Sequence, residues 1–186
     1  MDQATDAPDS TPPQEAALPA ELSVAHPTAD DHSRLQQGLE SWWGGFGGEA
    51  GAQQRALLVP RLFLQHFADT SYLVEDRNGR LVAFLIGFLS QSQPHVGYIH
   101  FVGVDPAVQG KQIGRWLYEQ FFTTAARRGA TEVHCITSPG NHASRAFHAR
   151  MGFQVEPSPT HLDGAAAQLD YDGPGLHRVS FTRRLP

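Results

Sequence analysis

The stretch YIHFVGVDPAVQGKQIGRW, residues 98–116, decides the fold of this chain. Its apolar first half predicts a strand over Gly97–Val104, and the residues after Gly110 begin a helix predicted over Lys111–Arg128. A strand that leads through a glycine-bearing loop into a helix is typical of phosphate sites, because the first helical N–H groups lack intrahelical acceptors. The spacing matches neither GxxxxGK[ST] nor GxGxxG. An ordinary turn with a capping glycine would give the same pattern.

Patterns on both sides of this stretch predict an α/β (α+β) domain, with helices flanking a mixed, mostly antiparallel central sheet. Leu81–Ser90 is apolar at nearly every position, which indicates a strand buried on both faces. Asn78-Gly79 before it predicts a two-residue hairpin turn. Further strands are predicted at Leu22–His26, Ser71–Glu75, Glu132–Thr137, Phe153–Val155 and Arg178–Arg183, and further helices at Asp30–Ser41, Arg55–Phe67 and Asn141–Met151.

Charge and composition restrict the classes of function. The 186 residues carry a formal charge of −5, but residues 1–33 hold seven acidic residues and no Lys or Arg. Residues 1–20 therefore predict a disordered acidic leader, and residues 21–186 a single, slightly basic domain. This basicity is too small for a nucleic-acid interface. One cysteine, no signal-peptide pattern and a longest apolar run of nine residues (81–89) predict a cytoplasmic protein that does not bind membranes.

A second informative segment is NHASRAFHARMGF, residues 141–153. On a helix, Asn141, Ser144 and His148 share one face at spacings i, i+3 and i+7. Gly152 ends the helix and Phe153 begins a strand. Taken alone, the segment could equally be a capping asparagine followed by two solvent-facing polar groups.

Together the two segments resemble the GNAT superfamily of N-acetyltransferases. That family has Val-x-Pro before a Q/R-x-x-G-x-G/A signature, and about thirty residues later an Asn-x-x-(small)-x-x-Phe/Leu-Tyr-x-x-x-Gly-Phe segment. The matching residues here are Val104-Asp105-Pro106, Gln109–Gly114 and Asn141–Phe153. The resemblance covers about residues 21–186. It implies the fold described above and an acetyl-CoA-dependent enzyme that releases CoA as its product.

The resemblance also implies a set of cofactor-binding residues. A bulge in the strand that ends at Val104 would splay it from the next strand and let its backbone pair with pantetheine, with the Val102 N–H aimed at the thioester oxygen. Gln112 departs from the family pattern, because a glycine is usual there. The cofactor-binding residues implied in this way are Val102, Gly103, Val104, Gln109, Gly110, Lys111, Gln112, Ile113, Gly114, Arg115, Asn141 and Ser144.

Three residues are candidates for catalysis. Alternation along the strand puts His100 on the face of Val102 and Val104, where it could deprotonate an amine, and Tyr98 on that face could assist. His148 stands where the family usually has the tyrosine that protonates the departing thiolate, and histidine can do that work near neutral pH. We expect His100→Ala and His148→Ala each to lower turnover by about 10²–10⁴. Both histidines could instead be core residues.

The acceptor is not specified by the sequence: a small-molecule amine or a protein N-terminus would fit, and a homodimer is common in the family. Asp163, Asp170 and Asp172 could hold a cationic acceptor or form a solvated loop, and Trp42 and Trp43 could line its pocket or pack in the core. No histidine spacing indicates zinc. Two other classes stay open: a non-catalytic, regulatory CoA-binding domain, and a nucleotide-binding domain without acyl chemistry.

Overall fold

A computed structural model describes residues 17–43 and 57–186 of the chain. Its main feature is a seven-stranded sheet in the order β1-β2-β3-β4-β5-β9-β6, with a separate two-stranded sheet of β7 and β8. The strands are β1 Leu22–Ala25, β2 Tyr72–Asp76, β3 Leu81–Leu89, β4 Val96–Val104, β5 Glu132–Thr137, β6 Gln154–Val155, β7 His161–Leu162, β8 Ala165–Ala166 and β9 Val179–Arg184. The helices are α1 His32–Trp43, α2 Arg61–His66, α3 Ile113–Arg127 and α4 His142–Arg150.

The topology confirms the predicted fold class. Every neighbouring pair in the large sheet is antiparallel except β4 and β5, which are parallel. β3 lies near the centre, and its first seven residues are buried, as its unbroken apolar sequence predicts. α3 connects the parallel pair β4 and β5, so the loop before α3 lies at the carboxyl end of β4.

Two hydrophobic clusters hold the helices on opposite faces of the sheet. On one face, α3 buries the stripe that the sequence predicted, including Ile113, Leu117 and Phe121. On the other face, Leu35 and Leu39 of α1 pack with β3 residues. These two faces are called the α3 face and the α1 face below.

A bulge in β4 changes which side chains share a face. Leu85 pairs with Val102 and Ile86 with Phe101, but Gly87 pairs with Ile99, so His100 is an extra residue in the register. Ile99 and Val102 consequently both belong to the α3-face cluster. His100 points to the opposite face, where it contacts Phe63. The expectation that His100 shares a face with Val102 and Val104 is therefore wrong, because strict alternation does not continue through a bulge.

Two local predictions also need correction. The helix predicted over 55–67 is interrupted at Val59-Pro60 and resumes at Arg61, because proline has no N–H to donate and disfavours a helical residue before it. Residues 55 and 56 lie outside the described residues. The hairpin loop is longer than two residues: the Gly79 N–H donates to Asp76 O, and Gly79 alone has a left-handed φ of +73° there.

The start of the ordered region can be placed only within the described residues. Residues 1–16 of the predicted leader lie outside them. Leu18 is partly buried against the α3-face cluster, and the Leu22 N–H donates to the Pro19 carbonyl at 2.9 Å. The chain therefore contacts the domain from Leu18 onward.

Candidate functional site

A gap opens between the two parallel strands. β4 and β5 pair only where Val96, Gly97 and Tyr98 face Glu132, Val133 and His134. Over residues 99–104 the edge of β4 that faces β5 has no partner strand in the described parts of the chain. The bulge at His100 begins directly after the last paired residue, so it marks the point where β4 diverges from β5. The resulting free backbone edge can bind an extended ligand by strand-like hydrogen bonds.

The carboxyl end of β4 leads into a loop with unusual backbone angles. Gly110 has φ +86° and Gln112 has φ +57°, so both are left-handed, and Gln112 is the N-cap residue of α3. The first α3 amide with a helical acceptor is that of Trp116, which donates to Gln112 O at 3.0 Å. The N–H groups of Ile113, Gly114 and Arg115 precede it and point outward from the helix N-terminus, where they can bind an anion.

These N–H groups open into a cleft of about 900 Å³ between α3 and α4. Val104, the last residue of β4, also lines this cleft, so the cleft adjoins the gap beside β4. Three arginines also line it: Arg115, Arg150 and Arg183. Neither Arg150 nor Arg183 is among the site residues predicted from the sequence. The other predicted residues in its lining are Gln109, Gly110, Gln112, Ile113 and Gly114.

Gly114 and Gly103 lack side chains for different reasons. A Cβ at Gly114 would lie 3.7 Å from Phe147 and Val104, an ordinary contact distance, so the missing side chain keeps the cleft open. A Cβ at Gly103 would lie 2.6 Å from Phe84 and 3.0 Å from Trp42, on the α1 face. Packing alone therefore requires glycine at 103, independently of any ligand.

An ion pair between the buried Asp105 and the exposed Arg80 anchors the loop before α3. The carboxylate of Asp105 accepts the Ala107 N–H at 2.8 Å, and Arg80 donates to its other oxygen at 2.6 Å. Asp105 is 6% exposed. The hairpin between β2 and β3 thus fixes the start of the phosphate loop. In the sequence Asp105 is only the middle residue of the Val104-Asp105-Pro106 match, and its contact with Arg80 could not be predicted because the two residues are 25 positions apart.

Lys111, the single lysine, does not line the cleft. Its ammonium group lies 3.3 Å from the carboxylate of Glu21, and both side chains are about half exposed. An ion pair of this kind contributes little to stability, typically about 0–1 kcal/mol. Lys111 adds positive charge near the loop, but Glu21 offsets part of it.

His148 is buried beneath α4 and held at both ring nitrogens. Nε2 lies 2.9 Å from the Tyr118 hydroxyl and Nδ1 lies 3.3 Å from Ser144 Oγ. The ring also packs against Phe181 at 4.8 Å between centroids. Burial lowers the pKa of His148 to about 4, so the imidazole is neutral at pH 7. Tyr118 was missed because it stands within the apolar stripe of α3.

Asn141 begins α4. Its Oδ1 accepts the Ser144 N–H at 3.1 Å, so Asn141 is the N-cap residue of that helix. The predicted shared face is present, because Ser144 in turn contacts His148. Asn141 and Ser144 do not line the cleft between α3 and α4, and neither does Val102.

His100 and Tyr98 lie together on the α1 face. Nε2 of His100 contacts the Leu58 carbonyl at 2.5 Å, and the ring stacks on Phe63 at 4.3 Å with an interplanar angle of 12°. Burial lowers the pKa of His100, while the Leu58 carbonyl and the negative charge of Asp172 partly oppose that shift. Burial raises the pKa of Tyr98, so its hydroxyl stays protonated at neutral pH.

Other candidate groups have partners within the fold. Asp172 pairs with Arg178 at 2.6 Å, and Asp170 accepts the Gly175 N–H at 2.7 Å. Trp42 stacks on Phe84 in the α1-face cluster, and Trp43 packs edge-on against Phe101. Within residues 17–43 and 57–186, no group of three or more His, Cys, Asp or Glu side chains could hold a metal ion. The helices of those residues include none long and apolar enough to cross a bilayer.

Comparison with known proteins gives one family. A model of the Acetyltransferase (GNAT) family matches residues 35–153. L-2,4-diaminobutyric acid acetyltransferase of Nocardia farcinica is 31% identical over 123 residues, which are 64% of this chain and 63% of that protein. Mycothiol acetyltransferase of Sanguibacter keddieii is 27% identical over 157 residues, which are 82% of this chain and 49% of that protein. The chain thus spans less than two thirds of these relatives' own lengths.

A solved structure shares the fold. Diaminobutyrate acetyltransferase of Paenibacillus lautus, in complex with L-2,4-diaminobutyric acid and coenzyme A, superposes with a TM-score of 0.66. The match covers 88% of this chain and 95% of that one at 18% identity. At this identity the match supports the arrangement of strands and helices, and the site has to be argued from the residues of this chain.

Proposed function

Because the chain belongs to the Acetyltransferase (GNAT) family, we propose that it transfers an acetyl group from acetyl-CoA to a primary amine by direct attack in a ternary complex. One observation carries this proposal. The edge of β4 that has no partner strand among the described residues leads toward the N-terminus of α3, and Val104 belongs both to this edge and to the lining of the cleft. A ligand with an extended amide arm and a pyrophosphate has that combination of groups.

The residues present fit such a ligand. The N–H groups at the start of α3 would donate to the pyrophosphate, and Arg150 and Arg183 add positive charge to the cleft, whereas the charge of Arg115 is offset by Glu119 at 2.7 Å. Gly114 leaves the space between Val104 and Phe147 open. The backbone of Val102–Val104 would pair with the pantetheine arm, and the Val102 N–H would donate to the thioester oxygen. Acetyl-CoA supplies the activated acyl group.

We assign the deprotonation of the amine to His100. An ammonium acceptor first gives a proton to His100, directly or through one water, and the free amine nitrogen then forms a C–N bond to the acetyl carbon as the C–S bond breaks. The nitrogen loses its second proton as it becomes the amide nitrogen, and the departing sulfur, which keeps the bonding electron pair, takes up one proton to yield the CoA thiol. His100 is uncharged at neutral pH, as a base must be, and Tyr98 beside it stays protonated.

A role for His148 in protonating the sulfur stays a prediction. Any proton that leaves His148 must pass through one of its two hydrogen-bond partners, because Tyr118 and Ser144 occupy both ring nitrogens. Ser144 is the more exposed end of this chain of hydrogen bonds. A proton from His148 would therefore leave through the Ser144 hydroxyl. If His148 only packs, water must protonate the sulfur, and His148→Phe would keep most of the turnover.

We propose a small-molecule amine as the acceptor, because the two curated relatives are named for diaminobutyric acid and mycothiol. A protein N-terminus is the second possibility. A homodimer belongs to the proposal too: β6 has exposed residues and, within residues 17–43 and 57–186, β9 as its single neighbouring strand, so its outer edge can pair with a second copy. We also propose a cytoplasmic location, which suits the free thiol of Cys135.

An acceptor screen tests the function. Acetyl-CoA is incubated with the protein and with diamines, amino acids, amino sugars or peptides, and the free CoA thiol is measured. We expect thiol release that depends on both the protein and one class of amine. If calorimetry shows that acetyl-CoA binds but no amine releases thiol, the non-catalytic CoA-binding alternative replaces this proposal. Binding of ATP or NAD in place of acetyl-CoA would indicate a nucleotide-binding domain.

A further inference from the structure

Two groups hold His100, one from the segment before α2 and one from α2 itself. The Leu58 carbonyl contacts its Nε2 atom at 2.5 Å, and the Phe63 ring lies parallel to the imidazole at 4.3 Å. Leu58 and Phe63 are more than 35 residues away in sequence, and neither belongs to a motif. Both contacts act on the ring that the proposed function uses as the base.

We propose that the Leu58 carbonyl and the Phe63 ring are positioning groups that make Nδ1 of His100 the proton acceptor in acetyl transfer. The inference rests on the proposed function, because it specifies the working atom of the proposed base. It adds two residues that neither the signature segments nor the cleft contain.

The tautomer follows from the chemistry of the Leu58 carbonyl. A carbonyl oxygen can only accept a hydrogen bond, so the hydrogen of the contact must be on Nε2. A neutral imidazole carries a single N–H, which leaves the lone pair on Nδ1. Nε2 is consequently committed to Leu58, and Nδ1 is the only ring atom that can take a proton from an amine.

The break before α2 makes the Leu58 carbonyl available. In a continuous helix this carbonyl would accept the N–H of residue 62. Pro60 interrupts the helix, and the first turn of α2 is closed instead by the Phe63 N–H donating to Pro60 O at 3.0 Å. The Leu58 carbonyl can then reach across to β4. Pro60, which lies before α2, thus frees the carbonyl that contacts the proposed base, His100.

The Phe63 ring fixes the plane of the imidazole. It is part of a row of half-buried rings, in which Phe63 and Phe67 both contact Phe88, and Phe88 stacks on Tyr98 at 5.3 Å. Phe63 is the member that lies flat on His100. Phe67 belongs to the same row, with its ring centroid 5.5 Å from that of Phe63. A substitution that removes the Phe67 ring is therefore a matched control for one that removes the Phe63 ring.

Among the described residues, Asp172 is the charged group that acts on His100. It comes from the segment between β8 and β9 and favours the imidazolium. Tyr98 on β4 stays protonated, and the Phe63 ring and the Leu58 carbonyl carry no charge. Burial by Phe63 opposes protonation of His100. Removing the ring should let water reach His100 and raise its pKa toward the ordinary value for histidine.

The test compares Phe63→Leu with Phe67→Leu. In Phe63→Leu we expect kcat to fall by roughly tenfold to a hundredfold, since the base loses its orientation. The KM for acetyl-CoA should not change, and the acidic limb of the pH–rate profile should move to higher pH. Phe63→Tyr keeps a flat ring and should restore both kcat and the profile. Phe67→Leu should resemble the wild type in all three measurements.

A measurement independent of activity separates this inference from the proposed function. The nitrogen-15 NMR shifts of His100 in the wild-type protein at neutral pH should show hydrogen on Nε2 and a lone pair on Nδ1. The opposite tautomer would overturn the proposal, and so would identical pH–rate profiles for Phe63→Leu and Phe67→Leu. If the wild type transfers no acetyl group, the proposed function fails, and the tautomer result stands by itself.

Discussion

At the scale of single residues, Gln112 shows how the phosphate loop departs from its family. Its φ of +57° is left-handed, a conformation that costs a residue with a Cβ about 1–2 kcal/mol and costs glycine almost nothing. The glycine that is usual at this position therefore has a conformational reason, and glutamine carries strain at the start of α3. The loop keeps its shape because the Arg80–Asp105 pair anchors its beginning.

Replacing Gln112 by glycine should relieve that strain. We expect Gln112→Gly to stabilise the fold by about 1 kcal/mol in urea unfolding and to tighten acetyl-CoA binding in calorimetry. Gln109 is the control, because its φ of −60° is ordinary for any residue. Gln109→Gly should gain no stability. A loss of stability in Gln112→Gly would show that the left-handed backbone is not strained in solution.

Lys111 lies in the loop before α3 and Gly114 in the first turn of α3. Substitutions at these two positions should weaken acetyl-CoA binding to different extents. Lys111→Ala should weaken acetyl-CoA binding less than about fivefold, as expected for the loss of one exposed charge. Gly114→Val should abolish measurable binding, since its methyl groups would enter the space beside Phe147 and Val104. The single methyl group of Gly114→Ala fits within ordinary contact distances, so its acetyl-CoA affinity should lie between those of Lys111→Ala and Gly114→Val. A larger loss in Lys111→Ala than in Gly114→Val would contradict the backbone-centred loop.

At the scale of secondary-structure elements, the regular parts of the chain could be predicted and the irregular parts could not. The apolar pattern of β3 and the helical stripe of α3 gave their ranges to within a few residues. The bulge at His100 left no comparable signal, because it depends on how β4 pairs with β3. The face of His100 was therefore mispredicted. Pro60 did signal the break before α2, although the leucines around it suggested one helix.

The packing of α4 on α3 and β9 predicts a pH dependence of stability. The pKa of His148 is about 4 in the folded protein, below its ordinary value of 6.5. As the pH falls, His148 is therefore protonated in the unfolded chain at a higher pH than in the folded protein. The stabilisation is complete above pH 6.5 and is lost as the pH falls toward 4. The free energy of unfolding should drop by about 3 kcal/mol across that window on account of His148.

Urea unfolding at pH 7 and pH 4.5 measures this effect. In His148→Phe the difference between the two pH values should be smaller than in the wild type, although Tyr118 loses a hydrogen-bond partner and the variant is less stable at pH 7. His95→Gln changes a mostly exposed histidine and should leave the difference unchanged. An unchanged difference in His148→Phe would mean that His148 is not neutral and buried in solution.

At the scale of the whole molecule, the site joins parts of the chain that are remote in sequence. The β4–α3 junction and the α4 segment could be assigned to one site from their motifs. Arg183 and the segment around Leu58 required the folded structure, because only the fold brings them to the cleft or to His100. Arg150 lies in the α4 segment, but the motif assigns no role to that position. Sequence alone predicted the family and the fold better than the contacts that orient the candidate site residues.

One single-turnover experiment tests the central claim, direct transfer of an acetyl group from acetyl-CoA to an amine. The protein, in excess over acetyl-CoA labelled in the acetyl group, is mixed with an amine that releases thiol in the acceptor screen. We predict that the label appears in the amide of the acceptor, that none is attached to the protein, and that His100→Ala slows its appearance by about 10²–10⁴. Label on the protein would contradict direct attack. Label that stays on acetyl-CoA, with every amine supplied, would contradict the transferase itself.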